Sequence, residues 1–551
     1  MAANHIPTMI TPPRSGFASV RAPAVADVQI DGQALTIADV LSVGREKARV
    51  VLWPGTRRRM QDSRRLKVET IARGVPIYGV TTGFGDSAHR QISASKAPAL
   101  QRNMLRFLGC GTGPTTSPQI TRMAMVLRAN CLAKGNSGVR VELLERLLIL
   151  LNEDVVPLVP ERGSCGASGD LIPLSYVGRM LVGETDVLHR GRVRPARAVL
   201  ADLGLDALEV EAKEGLAMTN GTSFTSAFAC HAVGEAQRLA DIADLLTALA
   251  CEALLGNRGH FNAFLFDEAK PHPGAVHSAA NIRRVLVGSE LALDSEELLA
   301  THPAGIDFVE LDRQVQDRYS IRCAPHVTGV LRDTLAAAEQ WLSVEINASD
   351  DNPLFDTVRG RVHSGGNFYA GHVGQAMDSL KVAVAGLCDL MDRQLQLLVD
   401  EKFSARLTPN LIPRMGPDDP EAGLHHGFKG MQLCCSAMTA EALKLSNPAT
   451  IHSRSTEAHN QDKVSMATIA ARDARTIVEL AEAVAAIHLI ATVQAIELRG
   501  ARRAGAVARA VHALVRDRIR ALDCDRVLDA DIQSATELMR TSDFRALARL
   551  R

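Results

Sequence analysis

Aromatic residues are scarce in this 551-residue chain, at 4% of positions with 2 Trp and 4 Tyr. That shortage argues against a stacking platform for nucleic-acid bases. Net charge is lacking too, with 62 basic residues against 62 acidic ones. Binding to nucleic acid or an anionic membrane through bulk electrostatics is therefore not expected. The 10 cysteines form no CxxC pair, and no basic-then-apolar start marks a secretory signal, so they are expected to be reduced and mostly core filler. The 17 histidines are dispersed, with no HExxH and no Cys/His cage, and no metal site is expected. The longest charge-free apolar stretch near a helical pattern, residues 483–496, carries His488 and Gln494 and is too short to span a bilayer. What these absences leave is a soluble cytoplasmic protein with globular composition, 46% hydrophobic and 23% charged. Its length supports a core that needs no staples.

Three stretches are expected along the chain. Residues 1–25 are Pro-rich and read as a disordered lead-in. Residues 26–210 mix short apolar runs with Gly, Pro and Ser breakers, and residues 211–551 turn Ala- and Leu-rich and helical. The spacing predicts long helices over 466–499, which lacks Gly and Pro and stops at Gly500, and over 225–255 and 376–403, each carrying one internal glycine (Gly234, Gly386). Ile487, Leu489, Ile490, Val493 and Ile496 occupy more than one face of the first. Such a helix must be buried among others, here or in another subunit, so an oligomeric, mainly α bundle is expected. The basic cluster at Arg57–Arg59, Arg64 and Arg65 reads as a solvated helix face.

Six polar, Gly-rich strings interrupt this background. Residues 77–85 place Tyr78 in a run with three glycines, either a mobile lid carrying an acid or base or a turn packing Tyr78 on the core. Residues 163–175, Gly-Ser-Cys-Gly-Ala-Ser-Gly-Asp-Leu-Ile-Pro-Leu-Ser, match neither a P-loop nor a nucleophile elbow. In a tight Ala-Ser-Gly turn the amide nitrogen of Gly169 can attack the carbonyl carbon of Ala167. Loss of water closes a five-membered ring, and loss of the Ser168 hydroxyl leaves an exocyclic methylene, an electrophile made from the chain itself. Residues 316–325 set Tyr319 and Arg322 three apart, with a guanidinium suited to a carboxylate or to a solvated salt bridge. The remaining strings are 347–353 with 364–368, 427–430, and 457–462. Their Asn and Gln residues suit a zwitterion, though turns and caps favour Asn as well.

Together, and in this order from residue 28 to 500, the strings resemble the aromatic amino-acid ammonia-lyases and related aminomutases. The resemblance implies a fumarase/aspartase-like fold: a long-helix core with a smaller mixed N-terminal region bearing the loop, and no C-terminal shielding domain. It implies that Ala167, Ser168 and Gly169 form the 4-methylidene-imidazol-5-one group (MIO) with no external cofactor. The implied assembly is a homotetramer whose sites draw on three subunits. Tyr78 resembles the family base that takes the β-proton, which requires a site favouring phenolate. Tyr319 resembles a second active-site tyrosine. Arg322 and Asn347 resemble the carboxylate clamp, Asn220 and Gln316 residues near MIO and substrate, and Phe368 a wall beside MIO. Leu171 would face the substrate ring. His326 departs from the family, which has Gln there.

Phe107-Leu108 stands at the family's selectivity pair and resembles the bacterial phenylalanine lyases, where tyrosine lyases carry His-Leu and histidine lyases Ser-His. Lys429 and Glu457 fit the same group, and Asn460 and Gln461 complete its motif, Gln461 standing where histidine lyases have Glu. An apolar Phe107 favours an unsubstituted ring. An apolar pocket rejects an added hydroxyl only about 10²-fold, so tyrosine is expected as a second substrate. The expected reaction is deamination of L-phenylalanine to trans-cinnamate. The alternatives are a tyrosine lyase, a 2,3-aminomutase, or an inactive helical scaffold.

Overall fold

The computed structural model describes residues 26–298, 305–311 and 314–549. The lead-in expected at 1–25 lies outside them. The chain is mainly α, as expected, and its strands are short. Val28–Ile30 pairs in parallel with Val50–Leu52, and Thr112–Thr115 antiparallel with Pro160–Arg162. Val156–Pro157, Asp186–His189 and Arg192–Pro195 form a small antiparallel sheet, and Leu354–Asp356 folds back on Arg361–His363.

Three long helices dominate: Ser223–Ala253, Gly371–Val399 and Ala467–Arg499. The last ends where the sequence places its stop, with Gly500 at φ 93°, a backbone region that suits glycine. Gly234 does not interrupt its helix. The side chain of Leu41 lies only 2.5 Å from where a Cβ would stand, so the glycine lets the N-terminal region pack closely. The Gly371–Val399 helix stops short of residue 403 because Asp400 turns the chain, its Oδ1 accepting from the Lys402 N–H at 2.9 Å.

These helices run parallel, as their contacts show in sequence order. Thr225 meets Thr468, Arg238 pairs with Glu482, and Arg499 Nε donates to the Ala253 carbonyl at 2.9 Å. The Gly371–Val399 helix joins them at the same end, where a Cβ on Gly374 would meet Ala467 at 3.1 Å. Ala324–Glu345 packs in the opposite sense against the bundle, Arg332 pairing with Asp241 and Asp244. One continuous apolar core runs from Val28 to Ala548.

The Ala467–Arg499 helix is long and apolar enough to cross a membrane, which the reading of 483–496 alone did not anticipate. Here 78% of its most apolar window is buried inside the protein, so its apolarity is met by neighbouring helices.

Candidate active site

The loop 163–170 lies where three helices begin. Leu171–Leu181 starts directly after it. The Ser223–Ala253 and Ala467–Arg499 helices start beside it, tied through Asp170. The buried Asp170 carboxylate accepts from the Thr225 N–H and Oγ1 at 2.7 Å each and from Thr468 Oγ1 at 2.9 Å. Burial pushes its pKa up, and these hydrogen bonds oppose that shift. Helix N-termini carry partial positive charge, so the loop stands in a field that favours developing negative charge.

The Ala167–Gly169 peptide fits the self-made ring. Gly169 has φ 74°, and a Cβ on it would lie 2.2 Å from the Gly221 carbonyl oxygen, so no other residue fits the nucleophilic position. Asn220 Nδ2 donates to the Ser168 carbonyl at 2.7 Å, while its Oδ1 is buried with no partner among the described residues. Arg128, fully buried, holds the Asn220 carbonyl at 2.6 Å and pairs with Asp350, which also accepts from the Thr222 N–H at 2.7 Å.

Tyr78 faces this loop end through a small apolar cluster with Phe84, Leu108, Leu171 and Leu216. Its hydroxyl accepts from the Gly85 N–H at 2.9 Å. Burial pushes its pKa above the ordinary phenol value, the Gly85 N–H counteracts that, and the negative Glu457 adds to the rise. Within one chain the surroundings thus favour the neutral phenol, contrary to the sequence expectation. Phe107 stands at the mouth, 60% exposed, its ring centroid 6.5 Å from that of Phe84. Glu457 comes over the Tyr78 loop, its carboxylate near Gly85 and accepting from the Asp86 N–H at 3.3 Å. Asn460 Nδ2 donates to Glu457 at 2.8 Å, and Thr456 bridges to Gln461. Glu457, Ala458 and His459 all adopt positive φ, at 53°, 50° and 64°, a strained run of the kind that persists at functional sites.

Other expected residues lie elsewhere. Asn347 is committed to the fold: Oδ1 accepts from the Leu35 N–H at 2.9 Å and from Asn130 at 3.2 Å, and Nδ2 donates to the Leu35 and Ser343 carbonyls. With its amide saturated it is not available as a carboxylate clamp, which corrects that expectation. Asn352 by contrast uses only Oδ1 among the described residues, accepting from the Gly365 N–H at 2.8 Å, and its Nδ2 carries no such commitment. Phe368 follows, half-buried, in the same segment.

Gln316, Tyr319, Arg322 and Lys429 stand at the opposite end of the bundle. Gln394 donates to Thr247 Oγ1 and to the Ser320 carbonyl, at 2.9 and 2.8 Å, anchoring the Tyr319–Arg322 turn there. Thr247 is about 36 Å along its helix from the loop end, at about 1.5 Å per residue. Phe428, preceding Lys429, bonds Asn410, whose neighbour Leu411 accepts from Gln494, about 40 Å along the Ala467–Arg499 helix. No side chain spans that gap. Tyr319 is 72% exposed, with the Arg322 guanidinium 4.4 Å over its ring. His326 packs on Phe266 instead of on Arg322, with centroids 5.1 Å apart.

Sequence reasoning assigned no role to Asp170, Thr225, Thr468, Arg128 or Asp350. Asp170 sits inside the recognised string and could have been found; the others carry no local signal.

A profile of the aromatic amino acid lyase family matches residues 35–517, and the chain belongs to that family. The histidine ammonia-lyase of Gloeobacter violaceus is 39% identical over 93% of this chain and 95% of its own length. The tyrosine ammonia-lyase of Cupriavidus metallidurans is 38% identical over 94% and 97%. The crystal structure of the tyrosine aminomutase from Streptomyces globisporus matches with a TM-score of 0.88 at 36% identity, covering 95% of this chain and 99% of that one. The fold is thus the fumarase/aspartase-like helical one, and the protein is a carbon–nitrogen lyase of an MIO-dependent family. The family expected from the sequence is borne out, whereas the particular likeness to bacterial phenylalanine lyases is not supported: these relatives carry histidine and tyrosine names.

Proposed function

We propose that this enzyme releases ammonia from L-phenylalanine to give trans-cinnamate and takes L-tyrosine as a second substrate. The observation that carries the substrate reading is the apolar end of the pocket. Phe107 stands against Phe84, whose ring belongs to an apolar cluster with Leu108, Leu171 and Leu216 beside Tyr78. A para-hydroxyl buried there would lose its water without gaining a partner.

MIO supplies an electrophilic methylene that turns the poorly departing substrate amine into a better leaving group. The chain's own residues do the rest. Asn220 holds the Ser168 carbonyl oxygen, where negative charge gathers. Tyr78 removes the β-proton. Arg322 binds the carboxylate, and it must come from another copy, because its own chain's loop is beyond reach. The same holds for Gln316, Tyr319 and Lys429. Exposed apolar side chains, among them Val330 and Val344 on Ala324–Glu345, Val382 on Gly371–Val399 and Leu433 on Lys429–Leu445, support the homotetramer that such sharing requires. Residues 26–210 then supply the loop and base, and 211–551 the bundle and the residues lent to neighbours.

The test is Phe107→His. An imidazole gives the para-hydroxyl a partner, so kcat/KM should move toward tyrosine by about 1–3 kcal/mol, roughly one to two powers of ten. Cinnamate and coumarate measured in one competition tube decide it; an unmoved ratio would mean Phe107 does not touch the ring.

The pH dependence follows from Glu457. The active form is the phenolate, and a raised pKa delays it to higher pH. Glu457→Gln removes a negative charge that raises that pKa, so the rising limb of kcat/KM should shift to lower pH. A limb that stays put or moves up contradicts Tyr78 as the base.

A 2,3-aminomutase is the second reading, favoured by the structural likeness to the Streptomyces enzyme. Product analysis for β-phenylalanine and β-tyrosine separates it from the lyase.

A further inference from the structure

Gln101 lies in the Ala97–Phe107 helix, fully buried, six residues before the pocket residue Phe107. Its side-chain amide bonds nothing in its own helix. Nε2 donates to the Gly79 carbonyl at 2.8 Å, and Oε1 accepts from the Leu216 N–H at 2.9 Å. Gly79 follows Tyr78 directly. Leu216 is in the first turn of the Glu214–Thr219 helix, where N–H groups lack intrahelical partners, and that helix is capped at its C-terminus by Asn220. Asn220 in turn holds the Ser168 carbonyl. One amide therefore connects the loop that carries Tyr78, the helix that carries Phe107, and the turn that holds the Ala167–Gly169 peptide.

The fit is tight. A Cβ on Gly215 would come within 2.6 Å of the Gln101 backbone oxygen, so glycine is what lets the two helices approach. The orientation of the amide is also fixed. Flipping it would set its oxygen against the Gly79 oxygen and its nitrogen against the Leu216 N–H. An apolar side chain of the same length would leave both backbone groups buried and unpaired.

We propose that Gln101 is a positioning residue that sets the distance between the Tyr78 hydroxyl and the site of the electrophile. The role rests on the reading of Tyr78 as the base. Misplacing a reacting group by about 1 Å costs about 10²-fold in rate. Among the described residues Gln101 is the side chain from outside the loop that holds Gly79, whose N–H bonds Thr82 Oγ1 within it at 3.1 Å.

The test is Gln101→Met in the full-length enzyme, assayed with ordinary and β,β-dideuterated phenylalanine. The expected result is a kcat lower by about 10²-fold, with KM within about threefold and the MIO absorbance retained. The primary isotope effect should rise, because proton transfer to a misplaced base becomes the slow step. A kcat within about twofold of wild type would overturn the proposal. So would a large loss with an unchanged isotope effect, or loss of the MIO absorbance, which would assign Gln101 to folding or ring formation. If Gln101→Met does not fold, Gln101→Asn makes the same test: its amide is one methylene shorter and cannot reach the Gly79 carbonyl and the Leu216 N–H together. Wild-type turnover in the same assay reports on the functional reading alone, so an active wild type with an unaffected variant counts against Gln101 only.

Discussion

Replacing Ser168 with Ala should abolish turnover while leaving the protein folded and its assembly unchanged. The ring needs two losses of water, and the second takes the Ser168 hydroxyl; alanine has none to lose, so no methylene forms. The structure gives reason to expect little else to change. Ser168 is partly exposed, and its hydroxyl makes no hydrogen bond with any described residue. Substitutions of this kind usually stay within about 0.5 kcal/mol in stability. The contacts that hold the loop all lie outside the deleted oxygen: Asp170 with Thr225 and Thr468, and Asn220 with the Ser168 carbonyl. The variant should show an unchanged melting temperature, no MIO absorbance and background turnover. Substantial remaining activity would remove the self-made electrophile from the account.

Tyr78→Phe should separate the base from the electrophile. The ring stays in its apolar cluster with Phe84, Leu108 and Leu171, and only the hydroxyl that accepts from the Gly85 N–H is lost. MIO absorbance should persist, KM should change little, and kcat should fall by about 10²–10⁴-fold, the range that a positioned base contributes. A near-normal rate would mean that another group takes the proton.

The sequence made the chemistry of the loop legible because that chemistry requires three particular residues in succession. Ala167, Ser168 and Gly169 leave no alternative spacing to consider, and the positive φ of Gly169 agrees with the reading. The long helices were legible because a stretch free of Gly and Pro between breakers has few other forms. What was hidden depended on distance in sequence. Thr468 meets Asp170 across 298 positions, and no local pattern announces such a contact. Asn347 and Asn352 are equivalent as letters; only the hydrogen bonds to Leu35 and Gly365 tell which amide is spent on the fold. Tyr78 was read with the electrostatics of a finished site, whereas a single chain gives it burial and Glu457. The separation of Arg322 from its own loop is itself a consequence of helix length, and it supports the proposed sharing of sites between copies.

The most direct test of the whole account offers the purified enzyme L-phenylalanine, L-tyrosine and L-histidine in separate reactions and follows each unsaturated product by its absorbance, with ammonia measured alongside. The account predicts cinnamate formed fastest, coumarate formed at up to about 10²-fold lower kcat/KM, and no urocanate. Urocanate as the preferred product, or no ammonia from any of the three while MIO is present, would contradict it.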